Sequence, residues 1–265
     1  AWLTRISVAI VLAVLATVVV AIATSGGADA SHLALHDASA LGVLQAAGLC
    51  FFAFAGYARI ATLAEEVRDP ATTIPRAIRI ALGLVLVVYA AVAIAVLAQL
   101  GSAEMASATA PLADAVTAAG YQGLTPVVRV GATIAALGSL LALILGVSRT
   151  ALAMARDRHL PQALAAVHPR FATPYRAELV VGAVVAVLAG VLDLRGAIGF
   201  SSFAVLVYYA IANASAFTLG ARLIPVAGLV GCLVLAFTLP VASVLTGMAV
   251  LLVGAALYAV LRARV

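Results

Sequence analysis

Long stretches without a single charge constrain this chain more than anything else in it. Crossing a hydrocarbon core of ~30 Å takes roughly 20 consecutive apolar residues in an α-helix. Predominantly apolar runs of this order recur along the sequence at residues 6–24, 41–63, 74–100, 125–157, 175–192, 195–219, 222–239 and 241–261, with such charges as they carry near their ends. The composition agrees: 66% of residues are hydrophobic and 9% charged, against about 25% charged in a soluble domain. The expected fold class is therefore an all-α polytopic membrane protein of eight spans, the last two joined by a tight turn at Thr238, Leu239 and Pro240. The run 125–157 is the longest, roughly 50 Å as a helix, so one end must project into water. Arg149, Arg156, Arg158 and His159 mark that end.

The connections carry the polar residues. Residues 25–40 hold Gly26, Gly27, Asp29, His32, His36 and Asp37 and read as a loop; His32 and His36 have helical spacing, but no third ligand accompanies them. No metal site is expected. In the connection 101–123, residues 111–119 form a short amphipathic helix, and 162–167 supply one helical turn in the loop 161–174. The third span is expected to start near residue 74, with Pro75 in its first turn and Thr72 or Thr73 as cap. Cys50 and Cys232 lie in apolar runs and read as small buried hydrophobes.

The net charge is +5, and all 15 basic residues are arginine. Threading eight spans puts every arginine except Arg129 and Arg195 on one side, while Asp29, Asp37, Glu104, Asp114 and Asp193 fall opposite. The positive-inside rule then places both termini in the cytoplasm of a multi-pass protein of the cytoplasmic membrane. The arginines thus set topology, and nothing in their arrangement calls for nucleic acid.

The second span has built-in reasons to break. Phe51, Phe52, Phe54 and Tyr57 surround Gly56, with an interruption expected at 53–57; Glu65, Glu66, Arg68, Asp69 and Pro70 follow. Interrupted helices expose backbone groups, which in a membrane must line a cavity or bind something. Ser201, Ser202, Tyr208, Tyr209 and Asn213 are the polar residues of the 195–219 span, available for function or for interhelical hydrogen bonds. Gly131, Ala135, Gly138, Ala142 and Gly146 share one helical face, which close packing explains; Ser139 lies beside them.

FFAFAGYARIATLAEEVRDPATTIPRAI, from residue 51, resembles the sixth helix and following loop of amino acid permeases in the amino acid, polyamine and organocation (APC) transporter superfamily. SRTALAMARDRHLPQALAAVHPRFATP, from residue 148, is similar to the end of the eighth helix and the loop before the ninth. The resemblance implies an incomplete LeuT-like inverted-repeat fold within one transmembrane domain. Residues 1–24 would be the end of the fifth helix, 41–219 the second inverted repeat (helices six to ten) and 222–262 two peripheral helices. The first repeat, with its glycine-rich broken helix, would then lie outside this sequence, as in a fragment or a split gene whose partner supplies it.

On that resemblance, the carbonyls of Phe52, Ala53 and Ala55 receive a substrate ammonium, Phe54 or Tyr57 closes over it, Gly56 permits the unwinding and Ala58 faces the substrate side chain. Glu65, Glu66 and Arg68 form a cytoplasmic gate or, alternatively, a solvated loop. Members that take cationic amino acids commonly carry an acid where this chain has Ala58 and Arg59, so the implied substrate is a neutral amino acid, moved by secondary active transport with protons as coupling ion or by exchange. Two further readings stay open: a non-transporting scaffold or remnant, and a carrier of polyamines or organic amines. A membrane enzyme would need a nucleophile and base, or a metal, at membrane depth; the four histidines keep to loops and their edges and the acids to loops and span ends. Neither catalysis nor a cofactor is expected.

The threading makes a direct prediction. With Cys50 and Cys232 replaced, a membrane-impermeant thiol reagent added outside should modify an Asp114→Cys variant and leave Arg170→Cys protected. The opposite labelling pattern would reverse the assigned sides.

Overall fold

The computed structural model describes residues 2–34, 38–54, 56, 67–191, 193–220 and 222–262. Its elements are α1 (Trp2–Thr24), α2 (Ala40–Cys50), α3 (Pro70–Ser107), α4 (Pro111–Ala118), α5 (Thr125–Arg156), α6 (Tyr175–Val191), α7 (Leu194–Phe217), α8 (Leu223–Thr238) and α9 (Val241–Arg262). Short 3-10 turns occur at Ala30–Leu33, Phe51–Phe54, Gln122–Leu124 and Gln162–Ala165, and no strand occurs among the described residues. Thr4–Thr24, Pro70–Ser107, Gln122–Arg156, Leu194–Phe217 and Val241–Ala259 are long and apolar enough to cross a membrane, whereas Ala40–Phe54 and Leu223–Thr238 are apolar but shorter. Val87, Leu141, Leu179 and Leu252 stand exposed on their helices, as suits side chains that meet lipid tails instead of water. The chain is a multi-pass membrane protein.

Two boundaries differ from the sequence expectation. α3 starts at Pro70, which takes the first helical position that suits a residue without an amide proton. Asp69 precedes it at φ 52, and the hydroxyls of Thr72 and Thr73 turn back to the Asp69 carboxylate (2.7 Å) and the Arg68 carbonyl (3.0 Å). Pro75 therefore lies inside the helix rather than in its first turn. At its far end α3 runs on past Leu100 to Ser107, through a kink at Gly101 (φ 71, ψ 172) that a residue with a Cβ would resist.

The chain divides into two compact units, one made of residues 1–36 and 63–145, the other of 37–62 and 146–265. In the first, Val18 and Ile22 of α1, Val96 and Leu100 of α3, Val116 of α4 and Val128 of α5 form the core. Gly131 of α5 meets Val14 of α1 so closely that a Cβ would lie 2.9 Å from a valine methyl. The 3-10 turn Ala30–Leu33 rests on the α3 kink: the Asp29 amide donates to the Ala98 carbonyl at 2.9 Å, and His32 Nδ1 lies 3.0 Å from the same oxygen. Asp29 caps this turn by accepting from the Ser31 amide at 2.8 Å. That backbone hydrogen bond, helped by the Ser31 hydroxyl, holds its carboxyl below the ordinary aspartate value of 3.8.

In the second unit α7 is central, packing on α2, α8 and α9. Phe203, Leu206, Tyr209 and Ala210 of α7 are buried with Cys232, Ala236 and Leu239 from α8 and the turn after it. Without a hydrophobic drive between helices in lipid, packing comes from close approach over small residues. Gly228 of α8 receives the Asn213 side chain, Gly199 of α7 receives Ser243, and Gly247 of α9 receives the Phe203 ring. Cys232 is buried as expected, but Cys50 is exposed, because it sits at the end of α2 beyond the face that meets α7 and α8. In the loop before α6, His168 Nδ1 accepts from the amides of Arg170 (3.2 Å) and Phe171 (3.3 Å), and its ring packs on Phe171 and Tyr175.

The glycine seats predict a contrast within one helix. A Cβ at Gly247 would fall inside contact distance of the buried Phe203 ring, whereas one at Gly254 meets nothing within 4 Å. Gly247→Ala should destabilise the purified protein by about 1–3 kcal/mol through overpacking, and Gly254→Ala should leave its thermal unfolding in detergent unchanged or slightly raised. Equal melting of the two variants would mean that α9 does not seat on Phe203.

Candidate functional site at the break after the second helix

α2 opens on Ser39, whose hydroxyl accepts from the Gly42 amide at 3.0 Å, and it stays α-helical only to Cys50. Phe51–Phe54 continue as a 3-10 turn, and Gly56 follows at φ +106, a conformation that L side chains rarely adopt. The α-helix thus ends before the interval 53–57 suggested by the sequence. A 3-10 turn bonds each amide to the carbonyl three residues back rather than four, so the backbone hydrogen bonds are rearranged at the junction, where the Phe51 amide donates to both the Ala47 and the Leu49 carbonyls. Ser202 of α7, fully buried, donates to the Leu49 carbonyl at 3.2 Å.

Three further contacts fix this end of the helix. Gly48 is buried where α2 crosses α8, its position leaving a Cβ only 3.0 Å from Leu239 and 3.1 Å from the Leu235 carbonyl oxygen. The Phe51 ring meets the Tyr209 ring edge-on, centroids 5.7 Å apart and planes at 78°. Leu49 itself reaches Gly199 of α7. The α7 face that does this work carries Ser202, Leu206 and Tyr209 at helical spacings of four and three, all buried.

Of the residues marked in the sequence, Phe52, Ala53, Phe54 and Gly56 lie together on this turn, Phe52 and Ala53 exposed and Phe54 half-buried. Ala55, Tyr57 and Ala58 fall outside the described residues, as do Glu65 and Glu66; Arg68 is described and exposed, its carbonyl bound by Thr73. The polar residues of α7 separate in role. Ser202 reaches α2, Asn213 bonds the Tyr209 carbonyl of its own helix at 2.8 Å, and Tyr208 is exposed beside the Tyr209 ring. Sequence reasoning singled these residues out without telling a bond between helices from one within a helix, because both uses need the same polar side chain in the same apolar run.

In the first unit a largely apolar groove of about 530 Å³ runs between α1 and α5, with Thr4, Ser7 and Ser139 as its hydroxyls and Ala135, Gly138 and Ala142 along its wall. The small-residue face of α5 is therefore packed at Gly131 and open at Gly138, where a Cβ would meet nothing within 4 Å. Among the described residues no three His, Cys, Asp or Glu side chains come together as a metal would need. His32 is held on the α3 kink, and His36 lies outside the described residues.

Comparison with known proteins bears on this architecture. The amino acid permease family model matches residues 1–262. An uncharacterized transporter of Mycobacterium tuberculosis is 68% identical over 269 residues, covering 99% of this chain and 61% of its own length. A chloroplastic cationic amino acid transporter 7 of Arabidopsis thaliana is 35% identical over 178 residues, covering 66% of this chain and 30% of its own. A branched-chain amino acid permease of Bacillus subtilis is 31% identical over 153 residues, 58% of this chain and 33% of its own. The chain thus spans 61% of the mycobacterial relative's length. With a family match over nearly its whole extent and helices of transmembrane length on both sides of an interrupted one, the chain belongs to the amino acid permeases of the APC transporter superfamily.

Proposed function

We propose that this protein is a secondary active transporter of neutral amino acids in the cytoplasmic membrane, driven by protons or by exchange, with its substrate at the break after α2. The observation that carries the reading is the change from α-helix at Cys50 to a 3-10 turn at Phe51–Phe54, followed by Gly56 at φ +106. Carbonyls at the end of a helix segment carry partial negative charge, which suits an ammonium. In this reading Phe52, Ala53 and Ala55 offer those carbonyls, Phe54 or Tyr57 covers the substrate, and Glu65, Glu66 and Arg68 gate the cytoplasmic side. A first repeat of the kind the family resemblance implies would supply the carboxylate site, and were the gene split it would be a partner of this chain.

Electrostatics favours a neutral side chain. No acid occurs between Phe51 and Leu63, and Arg59 is the one charge there. A cationic side chain would meet an arginine with no carboxylate to offset it, and unpaired charge in a poorly hydrated cavity is costly. The relatives point both ways by name, one to cationic and one to branched-chain amino acids, and the neutral reading rests on the local charge.

The reading is tested with the full-length protein in proteoliposomes, offered labelled alanine, leucine, arginine and putrescine with and without a pH gradient. Alanine or leucine uptake is the expected result; uptake of putrescine alone would assign an amine carrier, and no uptake at all a scaffold. Ala58→Asp then tests the site. The new carboxylate costs roughly 2.5–3.5 kcal/mol on insertion scales, and a cationic substrate recovers part of that by pairing with it. Neutral uptake should fall, competition should shift toward arginine, and Arg59→Ala added to it should strengthen the shift. Unchanged competition in both folded variants would remove the substrate from this segment.

A further inference from the structure

We infer that the connection between α5 and α6 binds the headgroup of an anionic phospholipid, whose acyl chain lies along the exposed apolar stripe of α6. The inference does not depend on the proposed substrate or on its site.

Charge selects the partner. Between residues 149 and 176 the chain carries Arg149, Arg156, Arg158, Arg170 and Arg176, all exposed, against the single acid Asp157. Among the described residues no carboxylate pairs with any of these arginines. The next acid, Glu178, lies two residues beyond Arg176 and so on the opposite face of α6. Arg149 and Arg156 belong to the last turns of a helix long enough to cross the membrane. Because charge is expensive in the hydrocarbon core, this excess falls at the level of the headgroups, where anionic lipids attract it.

Setting topology needs charge alone, but here the arginines are also held in place. The His168 amide donates to the Thr173 carbonyl at 2.8 Å and the Ala172 amide to the His168 carbonyl at 2.9 Å, closing a turn that puts Ala172 at φ 52. Inside it His168 Nδ1 accepts from the amides of Arg170 and Phe171, which occupy the tip. The Arg170 guanidinium lies over the Phe171 ring, 5.4 Å from its centroid, and that of Arg176 over the Tyr175 ring at 5.6 Å. A guanidinium over a ring uses its face and keeps its edge, the fork of N–H donors that fits two phosphate oxygens. At the other end of the connection the His159 ring packs on Tyr258 of α9, which anchors the segment carrying Arg158.

A phosphate fork alone would also suit a free anion, and the neighbouring surface favours a lipid. Phe171 is 64% exposed beside Arg170. From Arg176, the exposed side chains of Val180, Val184 and Val187 continue along one face of α6. Cationic donors at the head of an apolar stripe match a molecule with a phosphate at one end and a hydrocarbon chain at the other.

The test is native mass spectrometry of the full-length protein in detergent, with phosphatidylglycerol and phosphatidylcholine of the same acyl chains as probes. Arg158→Gln and Arg170→Gln are made singly and together, since neither side chain has a hydrogen bond to lose among the described residues. Arg176, tied to the Tyr175 hydroxyl at 2.9 Å, is left in place. Arg195→Gln, beyond the far end of α6 and roughly 26 Å along that helix, removes the same charge elsewhere. Wild type should hold phosphatidylglycerol roughly a hundredfold more tightly than phosphatidylcholine. Either substitution should weaken that binding about fivefold and the pair about twenty-fivefold, with thermal unfolding and phosphatidylcholine binding unchanged, and Arg195→Gln should match wild type. Equal affinity of wild type for the two lipids overturns the inference, as does wild-type affinity in the double variant or an equal loss in Arg195→Gln. Displacement of phosphatidylglycerol by an equal concentration of inorganic phosphate overturns it too, by assigning the arginines to a free anion.

Discussion

A carbonyl whose helical bonding is interrupted inside a lipid bilayer finds no water to make up the loss, and this constraint bears on two irregular places among the described residues. At Gly101 the α3 helix kinks, and the Ala98 carbonyl is met by the Asp29 amide and by His32 from the loop before. At Cys50 the α2 helix gives way to a 3-10 turn, and the Leu49 carbonyl accepts both the Phe51 amide and the Ser202 hydroxyl. The two solutions differ in kind. The first uses backbone and imidazole from a polar connection. The second takes a single hydroxyl from the middle of another helix, where every polar atom must be justified.

Seating that hydroxyl requires helices to come closer than large side chains allow, and the glycines of the second unit supply the room. Gly48 lets α2 approach α8, while Gly199, Gly228 and Gly247 accept Ser243, Asn213 and Phe203. Each seat is specific to one partner, so the packing around α7 fixes rotation as well as distance. A rotation of α7 by one residue would carry Ser202 away from Leu49 and Tyr209 away from Phe51. The position of the break is thereby a property of the bundle and not of α2 alone.

Much of this was legible in the sequence, and the parts that were not share a cause. Apolar runs gave the helices because bilayer thickness dictates their length, and Gly56 among aromatics marked the interruption. The start of α3 was misplaced because Pro70 and Pro75 both suit a first turn; Asp69 decides between them by taking a left-handed conformation that no local pattern announces. Gly101 read as the end of a helix, and instead bends one, because the turn Ala30–Leu33 covers the freed carbonyl from far away in sequence. Cys50 and Gly138 lie in uniformly apolar runs, where a residue facing lipid or a groove has the same composition as one facing a neighbour. Ser202 stood among five polar residues of its span, and only its distance to Leu49 separates it from them.

A transporter needs conformations of nearly equal free energy, since a substrate can shift a population only by the difference in its affinity for them. The break after α2 is held by means suited to that requirement. One neutral hydrogen bond contributes about 1 kcal/mol and one edge-on ring pair about as much; neither involves an ion pair whose rupture would strand a buried charge. Contacts of this size locate a turn without locking it. Binding an ammonium beside this turn would, in the proposed function, redistribute the segment between α-helical and 3-10 geometry at little cost, whereas a buried charge pair at the same place would hold it in one state. In the proposed function, the choice of serine and tyrosine over charged residues on this face of α7 follows from that need.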